Sequence, residues 1–166
     1  MTPEEFTAVA ESRLAGAKYT VTRLALSGAP AVVGQRKPFR AQWMFTQLKT
    51  SVVVSAVDHA TGTGWMRFLQ HAFLAAKDIK GGLPNGLQSG VGAVPVLAAT
   101  SVDAEAALSA TERPQYEWFT GVSLPALVDL STGQVHQFDQ RVLVGAIYLP
   151  FLRKQRSLVT SIAQPV

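Results

Sequence analysis

The chain contains no cysteine, which excludes disulfides and thiolate metal sites and fits a reducing compartment. No apolar run approaches the ~18 residues that a membrane-spanning helix needs, so no membrane is expected. The opening "MTPEEF" is acidic where an export signal would be basic, and no apolar segment follows it. The expected setting is therefore cytoplasmic. His59, His71 and His136 are the only histidines, and no two stand four residues apart. Helical His-x-x-x-His sites are thus ruled out, and neither a metal nor a cofactor is expected. Internal repeats, linkers and low-complexity tracts are also missing. The most informative gap is in negative charge. Between Glu11 and Asp58 there is no acid, while Arg13, Lys18, Arg23, Arg36, Lys37, Arg40 and Lys49 all fall in that interval.

What remains is a chain of 166 residues, 48% hydrophobic, with a net charge of +4. That length predicts one domain, residues 1–166, able to bury a core without staples. Acids outnumber bases from Asp58 through Asp139, and Arg141, Arg153, Lys154 and Arg156 then make the tail basic. A chain polarised in this way points to an anionic partner.

The pattern of elements predicts an α+β fold. Thr2, Pro3, Glu4 and Glu5 are N-terminal helix signals, and Phe6, Val9, Ala10 and Leu14 recur at helical spacing to about residue 15. An extended region follows: "YTVTRLAL", a turn at 27–30, "AVVGQRKPFRAQWMF", a turn at 49–51 and a buried strand at 52–57. In the third of these, Phe39, Ala41, Trp43 and Phe45 share one face. Residues 63–80 carry the clearest helix, with Trp65, Phe68, Leu69, Ala72, Phe73, Ala76 and Ile79 on one side. A strand at 93–100, a helix at 104–112, a hairpin turning at Ser131-Thr132-Gly133, a strand at 141–149 and a helix opened by Pro150 complete the order. The expected architecture is a mainly antiparallel sheet of about six strands with helices packed on it. Trp43, Phe45, Trp65, Phe68 and Phe73 are expected in its core.

The stretch "KGGLPNGLQSGVGAV" (80–94) invites a phosphate-loop reading and does not sustain it. No Lys-Ser/Thr follows its glycines, and the order is helix, loop, strand rather than strand, loop, helix. Gly86-Leu87-Gln88-Ser89-Gly90 lacks the glycines at 87 and 91 that a nucleophile elbow requires. Gly81 after Lys80, with Pro84 beyond, is helix-stop chemistry, so the segment Gly81–Gly92 reads as a connector. Gln88 is a polar side chain held between glycines, and keeps a ligand-contacting loop in view. Asp58 and His59 follow a buried strand, where sites often form. Together with Gln88 they define an alternative pocket, between the end of strand 52–57 and the glycine-rich loop, for an enzyme of unstated reaction. Asp103, Glu105, Glu112, Glu117 and Asp129 each have a structural role at hand as helix-start or turn residues.

The order helix, antiparallel strands, helix, strand resembles the restriction-endonuclease-like fold. That resemblance implies an acid on one strand and Asp/Glu-x-Lys on the next, together binding a metal. Here the nearest match is Gln47-Leu48-Lys49, and the strands before it carry no acid, so no catalytic residue transfers.

The strongest lead is the basic third. In "GQRKPFRAQWMF" cations that bind phosphates alternate with aromatics that can stack on bases. The reading is a non-enzymatic binding or interaction protein. Its expected partner is nucleic acid or a small anionic ligand, held by Arg23, Arg36, Lys37, Arg40 and Lys49, and self-association into a homo-oligomer is compatible with it.

Overall fold

A computed structural model describes residues 1–36, 47–80, 89–112, 116–117, 121–139 and 149–163. Helix α1 spans Pro3–Gly16 and begins in a capping box. The Thr2 hydroxyl accepts from the Glu5 amide at 3.2 Å while the Glu5 carboxylate accepts from the Thr2 amide at 2.7 Å, which satisfies two of the unpaired groups at a helix start. Strands β1 (Thr20–Leu26) and β2 (Ala29–Arg36) form a hairpin. Its turn is tighter than the sequence pattern suggests: only Ser27 and Gly28, with φ of 54° and 85°, lie between the strands. Two positive φ angles define a turn whose twist matches that of the flanking strands, and this frees Ala29 and Pro30 to join β2.

β3 runs from Gln47 to Ala60, so the turn expected at 49–51 is strand instead. Thr50 and Ser51 are buried in it. The Thr50 hydroxyl is satisfied by the Arg36 carbonyl across the ladder, at 3.2 Å, so a polar triplet can stay within the sheet. Helix α2 (Gly62–Lys80) then crosses to β4 (Ser89–Val102), which lies parallel to β3. Residues Ser89–Gly92 are thus the first part of a strand. The rest of the expected connector, 81–88, lies outside the described residues, as do Trp43, Phe45 and all but the last residue of the strand expected at 141–149; that residue, Leu149, is helical and opens the last helix, Leu149–Thr160. Helix α3 (Ala104–Ala110) has Asp103 as its N-cap, accepting from the Ala106 amide at 2.8 Å. β5 (Tyr116–Glu117), β6 (Gly121–Ser123), β7 (Ala126–Asp129) and β8 (Val135–Gln137) follow, and α4 (Leu149–Thr160) closes the order.

The sheet is mixed rather than purely antiparallel. β1–β2–β3 form an antiparallel meander, β3 and β4 are parallel, and both β6 and β7 pair parallel to β4. β5–β6 and β7–β8 are antiparallel. β4 pairs with β6 at Val91–Ala93 and with β7 at Val96–Ala99, so these two strands are one line interrupted at Leu124-Pro125. The interruption stands beside Pro95. Ala93 and Ala99 turn their carbonyls toward this side of β4, accepting from the Leu124 and Leu130 amides. By alternation, the imino nitrogen of Pro95 faces the same way. A proline inside a sheet is tolerated only where no rung is demanded of it.

Helices cover both faces. On one face α1 and α4 bury Phe6, Leu14, Val52, Val94, Val96 and Leu152. On the other α2 and α3 bury Trp65, Phe68, Val53, Leu97, Ala106 and Leu127. Phe73 is half-buried beside Ala76, Val91 and Ala93. Covering on both sides explains why every residue from Val91 to Ala99 is buried and why the central strands read as continuous apolar runs. Among the described residues no helix is long and apolar enough to cross a membrane. Trp65 is fully buried, and Trp65→Ala is expected to cost about 3–5 kcal/mol. Urea denaturation checks this, and an unchanged midpoint would place the indole outside the core.

Candidate functional site

The topology turns charge order along the chain into charge order in space. β2 ends at Arg36 opposite Thr50 of β3, and β4 begins at Ser89 opposite Gln47. α1 ends one tight connection before β1, whose first residue pairs with Gln35. The last turn of α1, the end of β2 and the start of β3 therefore share one end of the sheet. That end carries Arg13, Lys18, Arg36 and Lys49, and Lys37 follows Arg36 directly in sequence. The opposite end gathers acids. Asp58, Asp103 and Asp129 lie at or just beyond the ends of β3, β4 and β7, Glu105 opens α3, and Glu4 and Glu5 open α1. Asp78 near the end of α2 and Glu117 on β5 lie toward the basic side, and Lys77 and Lys80 accompany Asp78 in the same helical turn.

The cations at the basic end differ in how free they are. Lys18 is exposed and holds a left-handed φ of 63°. Arg36 is exposed, and its guanidinium lies 5.8 Å from the centre of the Tyr19 ring. Burial pushes the Tyr19 hydroxyl up, and the Arg36 charge opposes this only in part. Arg36 is on the α1/α4 face, in phase with Val32. Lys49 is half-buried on the α2 face, in phase with Val53. The two thus flank the same end from opposite sides. Arg13 is committed to α4, donating to the Leu158 carbonyl at 3.2 Å and the Ser161 hydroxyl at 2.7 Å.

Arg23, expected among the anion ligands, is engaged elsewhere. It sits midway along β1 and grips both oxygens of the Glu11 carboxylate, the shortest bond being 2.6 Å. A fork-to-fork pair of this kind leaves little free charge. Lys37 and Arg40 lie outside the described residues, as does Gln88.

Asp58 and His59 are at the acidic end. Gln88 immediately precedes Ser89, whose partner is Gln47 at the far end of β3. What His59 does meet is Ser101, its neighbour in the parallel ladder: Nδ1 and Oγ are 2.7 Å apart, and the Ser101 hydroxyl also reaches the Asp58 carbonyl at 3.3 Å. Among the described residues no carboxylate completes a triad on this pair, and no group of three or more His, Asp or Glu side chains converges. Glu105 lies against Gly62, so the chain's own carboxylate covers the positive end of α2. A cavity of about 560 Å³ runs along α2, lined by Met66, Arg67, Leu69, Phe73, Leu74 and Pro125, and none of the expected site residues among the described ones borders it.

Buried polar side chains escaped the sequence pattern. Gln155 and Arg156 of α4 are both buried. Arg156 donates to the Phe138 carbonyl at 3.1 Å and to Asp139 at 2.5 Å. Burial lowers its pKa against the opposing pull of Asp139. Buried and paired with Asp139, this cation stays charged but does not belong to the exposed bases of the tail. The signal was present in the spacing, because Leu152, Gln155, Arg156 and Val159 form one helical stripe. No protein-family model, curated protein or solved structure matches the chain.

Asp129 closes the β7–β8 turn. One of its oxygens accepts from the Ser131 amide at 2.8 Å, the Ser131 hydroxyl at 2.6 Å and the Thr132 amide at 3.2 Å. Partial burial pushes its carboxyl up, but the Ser131 and Thr132 donors together outweigh that and hold it below the ordinary value. A depressed carboxylate contributes stability above the unfolded-state pKa of about 3.9 and loses it as pH falls through the folded value. Asp129→Asn is therefore expected to lower the thermal midpoint at neutral pH. The gap to the parent should close as both are acidified below about pH 4. A gap that persists in acid would assign the turn's stability to something other than the charge.

Proposed function

We propose that this chain is a binding protein without catalytic function, and that its partner is nucleic acid engaged through phosphates at the basic end of the sheet. The observation that supports this most directly is the separation of charge along the strands. Arg36, Lys49 and Lys18 stand where β2 ends and β3 begins. Most acids of the described residues collect at the other end or, like Glu11 and Asp139, are paired with arginines. Such a field orients a polyanion before contact and raises its local concentration at one end. Lys37 and Arg40 belong to the segment joining those same two strands and add to its charge in sequence.

A polymer of phosphates suits this arrangement better than a small anion. Exposed Arg36 and half-buried Lys49 flank the sheet end from two faces, whereas among the described residues the cavity on α2 is lined by one cation, Arg67, with Gln70, Ser123 and apolar side chains. The enzymatic reading has less to rest on, since the His59 ring meets only Ser101, which also reaches the Asp58 backbone carbonyl, and no acid converges on the pair among the described residues.

The test replaces Arg36, Lys37 and Arg40 by glutamine together. Labelled single- and double-stranded oligonucleotides are titrated against parent and variant at several salt concentrations. The variant is expected to bind more weakly and to show a log–log salt slope flatter by about one unit for each phosphate it no longer neutralises. Its melting temperature should be close to the parent's. A parent that binds neither oligonucleotide at low salt overturns the proposal.

A further inference from the structure

Gln155 is an expensive residue where it stands. It occupies the buried stripe of α4 between Leu152 and Val159, only 3% exposed. Its Nε2 donates to the Thr50 hydroxyl at 3.2 Å. Thr50 passes its own proton to the Arg36 carbonyl, also at 3.2 Å. Among the described residues the Gln155 Oε1 has no partner. A buried acceptor left unpaired costs stability, so an apolar residue would serve α4 better if packing were all it did.

The place where the relay ends gives it a use. Arg36 and Thr50 are directly opposed in the β2–β3 register, so a Thr50 hydroxyl that is itself held by Gln155 steadies the backbone from which the Arg36 side chain departs. Arg36 leaves from that rung toward the Tyr19 ring. α4 itself is braced from the other side, because Arg13 of α1 holds the Leu158 carbonyl and the Ser161 hydroxyl.

We propose that Gln155 is a positioning residue for the anion site: through Thr50 it holds the Arg36–Thr50 rung of the β2–β3 ladder and so fixes the direction in which Arg36 is presented to a phosphate. This rests on the proposed binding of a polyanion at the basic end. Gln155 does not touch the partner; it acts through Arg36.

The experiment is a double-mutant cycle with Gln155→Met and Arg36→Gln, read by titrating a labelled single-stranded oligonucleotide at several salt concentrations. Gln155→Met is expected to melt at or above the parent temperature. It should lose up to about tenfold in affinity at low salt and flatten the salt slope by about one unit, as for one phosphate contact. In the Arg36→Gln background the same change should cost nothing further, because two residues acting as a unit are not additive. Unchanged affinity in Gln155→Met, or a loss that adds in full to that of Arg36→Gln, overturns the proposal. If Gln155→Met does not fold, Thr50→Val interrupts the same relay while keeping a β-branched strand residue, and the same two outcomes decide. A parent that binds no oligonucleotide removes the nucleic-acid reading, and the side-chain resonances of Arg36 then decide the relay alone. Displacement of their ring-current shift from Tyr19 in Gln155→Met supports the link, and an unaltered spectrum overturns it.

Discussion

The parallel pairing of β3 with β4 is the constraint on which the rest of the molecule depends. A parallel pair cannot be closed by a tight turn, so a crossover element must return the chain to the starting edge, and here α2 does so. That places one helical layer on one face. β4 then repeats the move through α3 on the same side. The opposite face would be bare without α1 and α4, which arrive from the two ends of the sequence and meet through Arg13. Burial of both faces follows, and with it the apolar character of "VVVSAV" and "AVPVLAAT".

Strand direction also decides where charge accumulates. The meander brings the end of β2 beside the start of β3, so bases that follow one another along the first third of the chain converge at one edge of the molecule. The helices and strands that finish at the other edge carry Asp58, Asp103 and Asp129. Two cations are neutralised on the way: Arg23 by Glu11, and Arg156 by burial against Asp139. Net charge therefore says less about recognition than which ends the acids and bases occupy.

Local rules made much of the fold legible. The capping box at Thr2, the apolar stripe from Trp65 to Ala76, the Asp103 cap and the turn at Gly133 each depend on neighbours within a few residues. What could not be read depended on distant partners. Lys49-Thr50-Ser51 resembles a turn until the Arg36 carbonyl is there to take the Thr50 hydroxyl. Gln155 and Arg156 look like solvent-facing polar residues until their buried phase in α4 is set against Thr50 and Phe138. Ser101 was invisible as a partner of His59 for the same reason, since only register makes them neighbours.

Pro95 has a consequence for how the sheet is assembled. Shifting β4 by a single residue against β3 would exchange its two sides, since alternate residues address alternate neighbours. The imino nitrogen, now turned to the gap at Leu124-Pro125, would face β3 and leave a carbonyl there without a donor, in a region with no water to replace it. The ring thus acts as a phase marker for the central ladder. A misaligned β3–β4 pairing is penalised by that orphaned carbonyl, so the end at which Arg36 and Lys49 stand is fixed in part by an atom that donates no hydrogen bond.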